Sequence, residues 1–215
     1  APIAGAAERI ADLRAQDKQV LVLTNAATGA IASLPQKYAD LGFDFSADEI
    51  ISSRDILASQ LGSMDVAGPW CVVAPEVSKV SELGVPWTSF GAASEAAEGQ
   101  GGFILLSSQT LNEDVYAALK AALEEQSLPV LVGNPDLVAP RVDGYSLEPG
   151  SYAHRLADEL GVEPVYFGKP FANAFDAVFH RLGEGVDPGR IAMIGDTLHT
   201  DVLGGSAAGV GTILV

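Results

Sequence analysis

Short apolar runs and stretches of helical spacing take turns along this chain, and that alternation is the signature of a parallel sheet packed by helices. Val20-Leu21-Val22-Leu23 is a short buried-strand run stopped by Thr24-Asn25. Val165-Tyr166-Phe167 is another, followed by the turn Gly168-Lys169-Pro170. Ile191-Ala192-Met193-Ile194 is a third, and it runs into Gly195-Asp196-Thr197-Leu198-His199-Thr200-Asp201 and then a small-residue stretch up to Gly209. Between such runs lie helical patterns at Ala6–Ala15, Leu34–Leu41, Ile56–Leu61, Glu113–Glu125, Ala153–Leu160 and Phe171–Leu182. The stripe Val115, Leu119, Ala122, Leu123 and the stripe Ala174, Phe175, Val178, Phe179, Leu182 are the clearest of these. Open α/β sheets put their ligand sites at the carboxyl ends of the strands, so residues far apart in sequence converge there.

Texture changes at about Gly68, where Pro and Gly become frequent. Strand-like runs appear at Trp70–Ala74, Phe103–Leu106 and Val130–Val132, with a small-residue loop over Gly91–Gly102. A turn-rich passage from Gly133-Asn134-Pro135-Asp136 to Gly150 closes this region before the βα texture returns. The expected organisation is a core from residues 1–65 and 149–215 with an α/β insert over residues 66–148.

Three polar elements follow buried-strand runs: Thr24-Asn25, Lys169, and Asp196 with Asp201. A hydroxyl and an amide, an ammonium, and a carboxylate pair together suit a phosphate and a metal. Thr24 and Asn25 can donate to phosphate oxygens, and Lys169 can neutralise charge developing on a phosphoryl group. Asp196 and Asp201 suit Mg²⁺, which takes one or two protein carboxylates and completes its shell with water and phosphate oxygen. The chain carries 12 basic against 28 acidic residues, a net charge of −16 at pH 7. Such a field disfavours nucleic acid and anionic membranes as partners, and a phosphate site must gain its positive potential locally. Cys71 stands alone in an apolar run, so a disulfide within the chain is excluded. No apolar run approaches the roughly 20 residues of a membrane span, and no leader pattern precedes the first helix. The expected compartment is the cytoplasm, and a homo-oligomer is left open.

These strings, in this order, resemble the haloacid-dehalogenase (HAD) superfamily of phosphohydrolases. The nearest likeness is to the NagD-like class, with a type-2 cap between the second and third motifs. Leu23-Thr24-Asn25 is similar to motif II, Gly168-Lys169-Pro170 to motif III, Gly195–Asp201 to motif IV, and Gly133–Asp136 to the Asn-Pro-Asp segment of that class. The resemblance implies a Rossmann-like parallel core with an inserted α/β cap. It also implies a Mg²⁺-dependent phosphatase of small phosphorylated metabolites, working through an aspartyl-phosphate. Lys169 and Asp196 would be catalytic, Thr24, Asn25 and Lys169 would bind phosphate, and Asp196 and Asp201 would serve the metal. Two departures stand out. The family's nucleophile lies in an Asp-x-Asp motif on a first strand, and these 215 residues contain no such motif. Ala26-Ala27 stands where relatives often carry Asn and Ser. The expectation is that the first strand precedes Pro2-Ile3-Ala4-Gly5-Ala6; the alternative is a non-catalytic phosphate-binding or regulatory protein on the same fold.

Overall fold

The computed structural model describes residues 2–91, 99–183 and 185–215. Most of the loop expected over Gly91–Gly102 lies outside the described residues. Helix α1 (Ala6–Ala15) leads to strand β1 (Val22–Thr24), helix α2 (Leu34–Asp40), strand β2 (Ile50–Ser52) and helix α3 (Ser53–Leu61). Strand β1 pairs in parallel with β2. Helix α3 begins three residues before its apolar pattern does. A capping box explains this: the Ser52 side chain accepts from the Asp55 N–H while the Asp55 carboxylate accepts from the Ser52 N–H.

A five-stranded parallel sheet follows, built from β3 (Trp70–Val73), β4 (Trp87–Ser89), β5 (Gly102–Leu105), β6 (Val130–Val132) and, later, β9 (Val165–Tyr166), in the order β4-β3-β5-β6-β9. Strands β3, β5 and β6 are buried along their whole length, as parallel strands covered on both faces should be. Helices α4 (Glu113–Glu125) and α5 (Pro149–Leu160) cover one face through Val115, Leu119, Leu123, Ala153 and Leu156. The other face packs Trp70, Ile104 and Leu131 with Leu57 and Leu61 of α3 and Phe175 and Val178 of α6 (Ala172–Leu182). Between β6 and α5 rises an antiparallel hairpin, β7 (Val138–Arg141) and β8 (Gly144–Leu147). The chain closes with β10 (Ala192–Gly195), a π-helical turn at Leu198–Val202, α7 (Leu203–Ala207) and β11 (Gly211–Leu214), the last strand parallel to β10.

The architecture is α/β with parallel sheets, as expected. One strand joins a different sheet from the one foreseen. Val165–Tyr166 does not return to the sheet of β1; it hydrogen-bonds beside β6, with Leu131 opposite Val165 and Val132 opposite Tyr166. Helix α5 lies on the same side, so the middle sheet with its helices extends past residue 148 to the threshold of Gly168. The apolar stripe of α5 packs on α4 and brings β9 down along β6. Cys71 is buried as a small apolar residue, and burial pushes its thiol pKa up. Among the described residues no helix is long and apolar enough to cross a membrane.

Candidate active site

The loops after β1, β6, β9 and β10 meet around one cleft of about 430 Å³. Thr24, Asn25, Lys169, Asp196 and Asp201, the five residues singled out in the sequence, all line it. Asp136, Thr197, His199 and Thr200 line it too, and Leu137–Pro140 of the hairpin form an apolar wall.

Lys169 and Asp201 are the centre of the floor. The Lys169 ammonium donates to Asp201 Oδ1 at 2.6 Å, with side-chain exposures of 12% and 5%. Charge-assisted bonds of this length, shielded from water, fix both groups. Asp201 sits in the π-helical turn after β10, and its Oδ2 accepts from the Thr197 N–H at 3.2 Å. Gly195 makes room for it, since a Cβ there would overlap the Asp201 carboxylate. Asp196 is exposed to the cleft, with one oxygen accepting from the Thr197 hydroxyl at 3.2 Å.

Asn25 does something other than expected. Its Nδ2 donates to the Lys169 carbonyl at 2.8 Å and to Asp136 Oδ1 at 2.8 Å, while its Oδ1 accepts from the Lys169 N–H at 2.8 Å. An amide has two N–H donors, and both are taken. The Asn25 side chain therefore has no donor left for a phosphate in this arrangement. It positions the lysine loop instead, and links it to the segment after β6. The loop is tight enough to need glycine at 168, where φ is +117° and a Cβ would stand 2.5 Å from Asn25 Oδ1. The Thr24 hydroxyl accepts from the Ala26 N–H at 3.3 Å and also interacts with the Tyr38 phenol, and Thr24 lines the cleft.

Asp136 was not singled out among the site residues. Its string, Asn134-Pro135-Asp136, was legible, but its partner Asn25 lies 111 residues away. Burial raises the Asp136 pKa above 3.8, opposed by the bond from Asn25 and the nearby Lys169 charge. His199 borders the cleft as an exposed residue, while His154 stacks on Tyr166 away from it, at 5.0 Å between ring centres.

The acidic groups fit part of a Mg²⁺ site. Asp196 keeps an oxygen free toward the cleft, and Asp201 keeps lone pairs beyond those engaged by Lys169 and Thr197. Among the described residues no three acidic, His or Cys side chains gather as a complete metal-binding group. One or two carboxylates are what Mg²⁺ takes from a protein when phosphate and water supply the rest.

Two family models match the chain: "haloacid dehalogenase-like hydrolase" over residues 1–83 and "HAD-hydrolase-like" over residues 166–215. Together they span more than half of it and include motifs II, III and IV. The chain belongs to the haloacid-dehalogenase superfamily. Within that superfamily it is a HAD-type phosphohydrolase of the NagD-like class. It is 26% identical over 215 residues to the dihydroxyacetone phosphatase of Corynebacterium glutamicum, covering 99% of this chain and 74% of that protein. A HAD-superfamily structure from Cytophaga hutchinsonii, described as a possible sugar phosphatase, superposes with a TM-score of 0.84 at 26% identity, over 99% of this chain and 78% of that one. A glycerol phosphate phosphatase of Mycobacterium tuberculosis, solved in complex with magnesium, shares the fold with a TM-score of 0.77 at 21% identity, over 99% and 62% of the two chains.

Proposed function

We propose that this HAD phosphohydrolase cleaves small phosphate monoesters in a Mg²⁺-dependent reaction, through an aspartyl-phosphate intermediate. The observation that carries the proposal is the buried Lys169–Asp201 pair in one cleft with Thr24 and Asp196, at the carboxyl ends of parallel strands. In a protein of net charge −16, Lys169 is the one Lys or Arg among the described residues lining this cleft, against Asp136, Asp196 and Asp201, so the positive charge for a phosphate would come from Lys169 together with a bound metal.

Lys169, held by Asp201 at its ammonium and by Asn25 at its backbone, neutralises charge on the transferring phosphoryl group. The Thr24 hydroxyl hydrogen-bonds a phosphate oxygen. Asp196 would hold Mg²⁺ directly, and Asp201 would support the site through Lys169 or water. The metal, when bound, would supply positive charge to the phosphoryl oxygens. Leu137–Pro140 would cover the leaving group and exclude water. The known metal complex of a relative and the phosphatase names of others support this assignment.

The nucleophile must come from elsewhere, because none of the 215 residues forms an Asp-x-Asp motif. There is room for its strand. A second cleft of about 420 Å³ separates β1 from β10 and is lined by Leu21, Leu23, Ile191 and Met193. Leu23 precedes Thr24 on β1 and Met193 lies on β10, the strand that leads to Asp196, so a strand between them would run toward the cleft that Thr24 and Asp196 line. The experiment is release of inorganic phosphate from a panel of phosphate monoesters by the intact natural protein, with Mg²⁺ and then with EDTA. Mg²⁺-dependent turnover that EDTA abolishes is expected. No turnover on any member of the panel would favour the non-catalytic binding protein.

A further inference from the structure

Glu148 is a buried carboxylate outside the cleft that the reaction above does not use. It is 4% exposed, at the junction of β8 and α5. A buried carboxylate is tolerated only when its oxygens are satisfied, and here four donors do so. Oε1 accepts from Arg141 Nη2 at 2.8 Å and from the Ser146 hydroxyl at 2.6 Å. Oε2 accepts from the Ser108 hydroxyl at 2.9 Å and from Asn134 Nδ2 at 3.2 Å. Arg141 and Ser146 belong to the two strands of the hairpin, whereas Ser108 and Asn134 lie on the loops after β5 and β6. One carboxylate thus ties the hairpin to the carboxyl edge of the five-stranded sheet.

The root of the hairpin is also held at the Leu137 carbonyl, which accepts from the Ser151 hydroxyl at 2.5 Å, but among the described residues none of 138–147 joins an apolar core cluster. Val138, Val142, Tyr145 and Leu147 are exposed, at 49%, 101%, 78% and 46%. An isolated two-stranded hairpin is marginal in water, so polar ties at its root and body must fix its position. The fixation also reaches the cleft. Glu148 N–H donates to the Leu137 carbonyl at 2.9 Å, and Asn134 Oδ1 accepts from the Asp136 N–H at 3.1 Å. Leu137 begins the apolar wall, and Asp136 is the residue bonded to Asn25.

We propose that Glu148 is a positioning residue for substrate selection, fastening the β7–β8 hairpin so that Leu137–Pro140 stands as a fixed wall against the leaving group of the phosphate ester. This rests on the phosphatase assignment for the same cleft. Glu148 touches no reacting atom. Its loss removes binding that ground state and transition state share, which raises KM and spares kcat.

The test compares wild type, Glu148→Gln and Arg141→Gln in the intact natural protein. Arg141 is half-exposed, so its variant cuts the hairpin end of the brace even if Glu148→Gln folds poorly. Two phosphoryl donors are used: an aryl phosphate, large enough to reach the hairpin, and acetyl phosphate, whose acetate is too small. KM for the aryl phosphate should rise about 10-fold or more in both variants, because a displaced wall loses contact with the leaving group equally in the ground state and the transition state. The kcat for the aryl phosphate and both constants for acetyl phosphate should stay close to wild type. Hydrogen exchange over residues 138–147 should quicken while that of α4 does not. Equal losses on both donors with faster exchange throughout α4 and α5 would reduce Glu148 to a general stabilising residue and overturn the proposal, as would unchanged kinetics and exchange. If wild type hydrolyses neither donor, the phosphatase assignment is what fails, and hairpin exchange in the two variants still decides for or against the brace.

Discussion

Asn25 makes three hydrogen bonds with one amide, and they join segments that are 111 and 144 residues away along the chain. The lysine loop is therefore built by a side chain that has no N–H left for the phosphate. Removing the lysine itself should lower kcat by on the order of 10²-fold or more, since a preorganised charge on the phosphoryl group disappears. Thr24→Ala should cost less, one neutral hydrogen bond being lost. Asn25→Ala should resemble Lys169→Ala rather than Thr24→Ala, because the ammonium loses its fixed backbone. Steady-state hydrolysis in matched Mg²⁺ ranks the three, and equal rates for wild type, Lys169→Ala and Thr24→Ala would remove both residues from the site. Asp136 supplies a pH test. Burial is the main cause of its raised pKa, so the folded protein favours the protonated form. Its contribution to stability is fully present below the ordinary value of 3.8 and is lost as pH rises through the raised value. Asp136→Asn cannot ionise and keeps an oxygen to accept from Asn25. The variant should therefore gain on wild type in urea unfolding as pH rises from that value toward neutrality; a difference that stays flat with pH would contradict the shift.

Arg54, on α3, shows how elements rather than single residues hold the loops of the cleft. It is fully buried, and its guanidinium donates to the carbonyls of Ala27 at 3.2 Å, Gly29 at 2.9 Å and Lys79 at 3.1 Å. It thereby ties the loop after β1 to the turn after β3. Arg54→Met would leave those carbonyls without a charged donor and should destabilise the fold by about 3 kcal/mol or more, measured in urea; a change under about 1 kcal/mol would mean that water replaces the guanidinium. Elements with a buried face were legible in the sequence. Helix α4 occupies the residues its stripe marks, and β3, β5 and β6 coincide with apolar runs. The strands that were missed have no such face: β4 is exposed along its length, and the hairpin is largely exposed with Pro140 inside it. The partner of β9 was not legible either, since two residues carry no mark of which sheet will take them. The same divide runs through the site. The strings around Thr24, Lys169, Asp196 and Asp201 reveal residue types suited to phosphate, and the fold brings all four to one cleft. That Asn25 would spend its amide on Lys169 and Asp136, and that Asp136 would enter the cleft, depends on contacts across more than 100 residues, which local pattern does not encode.

At the scale of the molecule, two two-stranded parallel sheets stand apart. Strands β1 and β2 form one pair and β10 and β11 another, with the 420 Å³ cleft between β1 and β10. Parallel strands in such folds are covered on both faces, and an unpaired strand edge leaves backbone N–H and C=O groups without partners. Here β1 is only half-buried, and Ile194, Ile213 and Leu214 are 51%, 49% and 53% exposed, whereas β3, β5 and β6 are buried throughout. Phe175 and Val178 of α6 also reach the cleft wall, so the gap is apolar in its sides and polar along its strand edges. Both properties suit one more parallel strand, which would pair with β1 and β10 together and join the two pairs into one sheet. Such a strand would satisfy unpaired backbone groups and remove apolar side chains from water. A longer natural form that supplies it should unfold at higher urea concentration than the 215-residue chain. Its Leu23 and Met193 amides should exchange more slowly, and it should bind less of a fluorescent hydrophobic dye. Equal unfolding midpoints and equal exchange at Leu23 and Met193 would mean that the cleft stays open, and the catalytic aspartate would then have to reach Thr24 and Lys169 by another route.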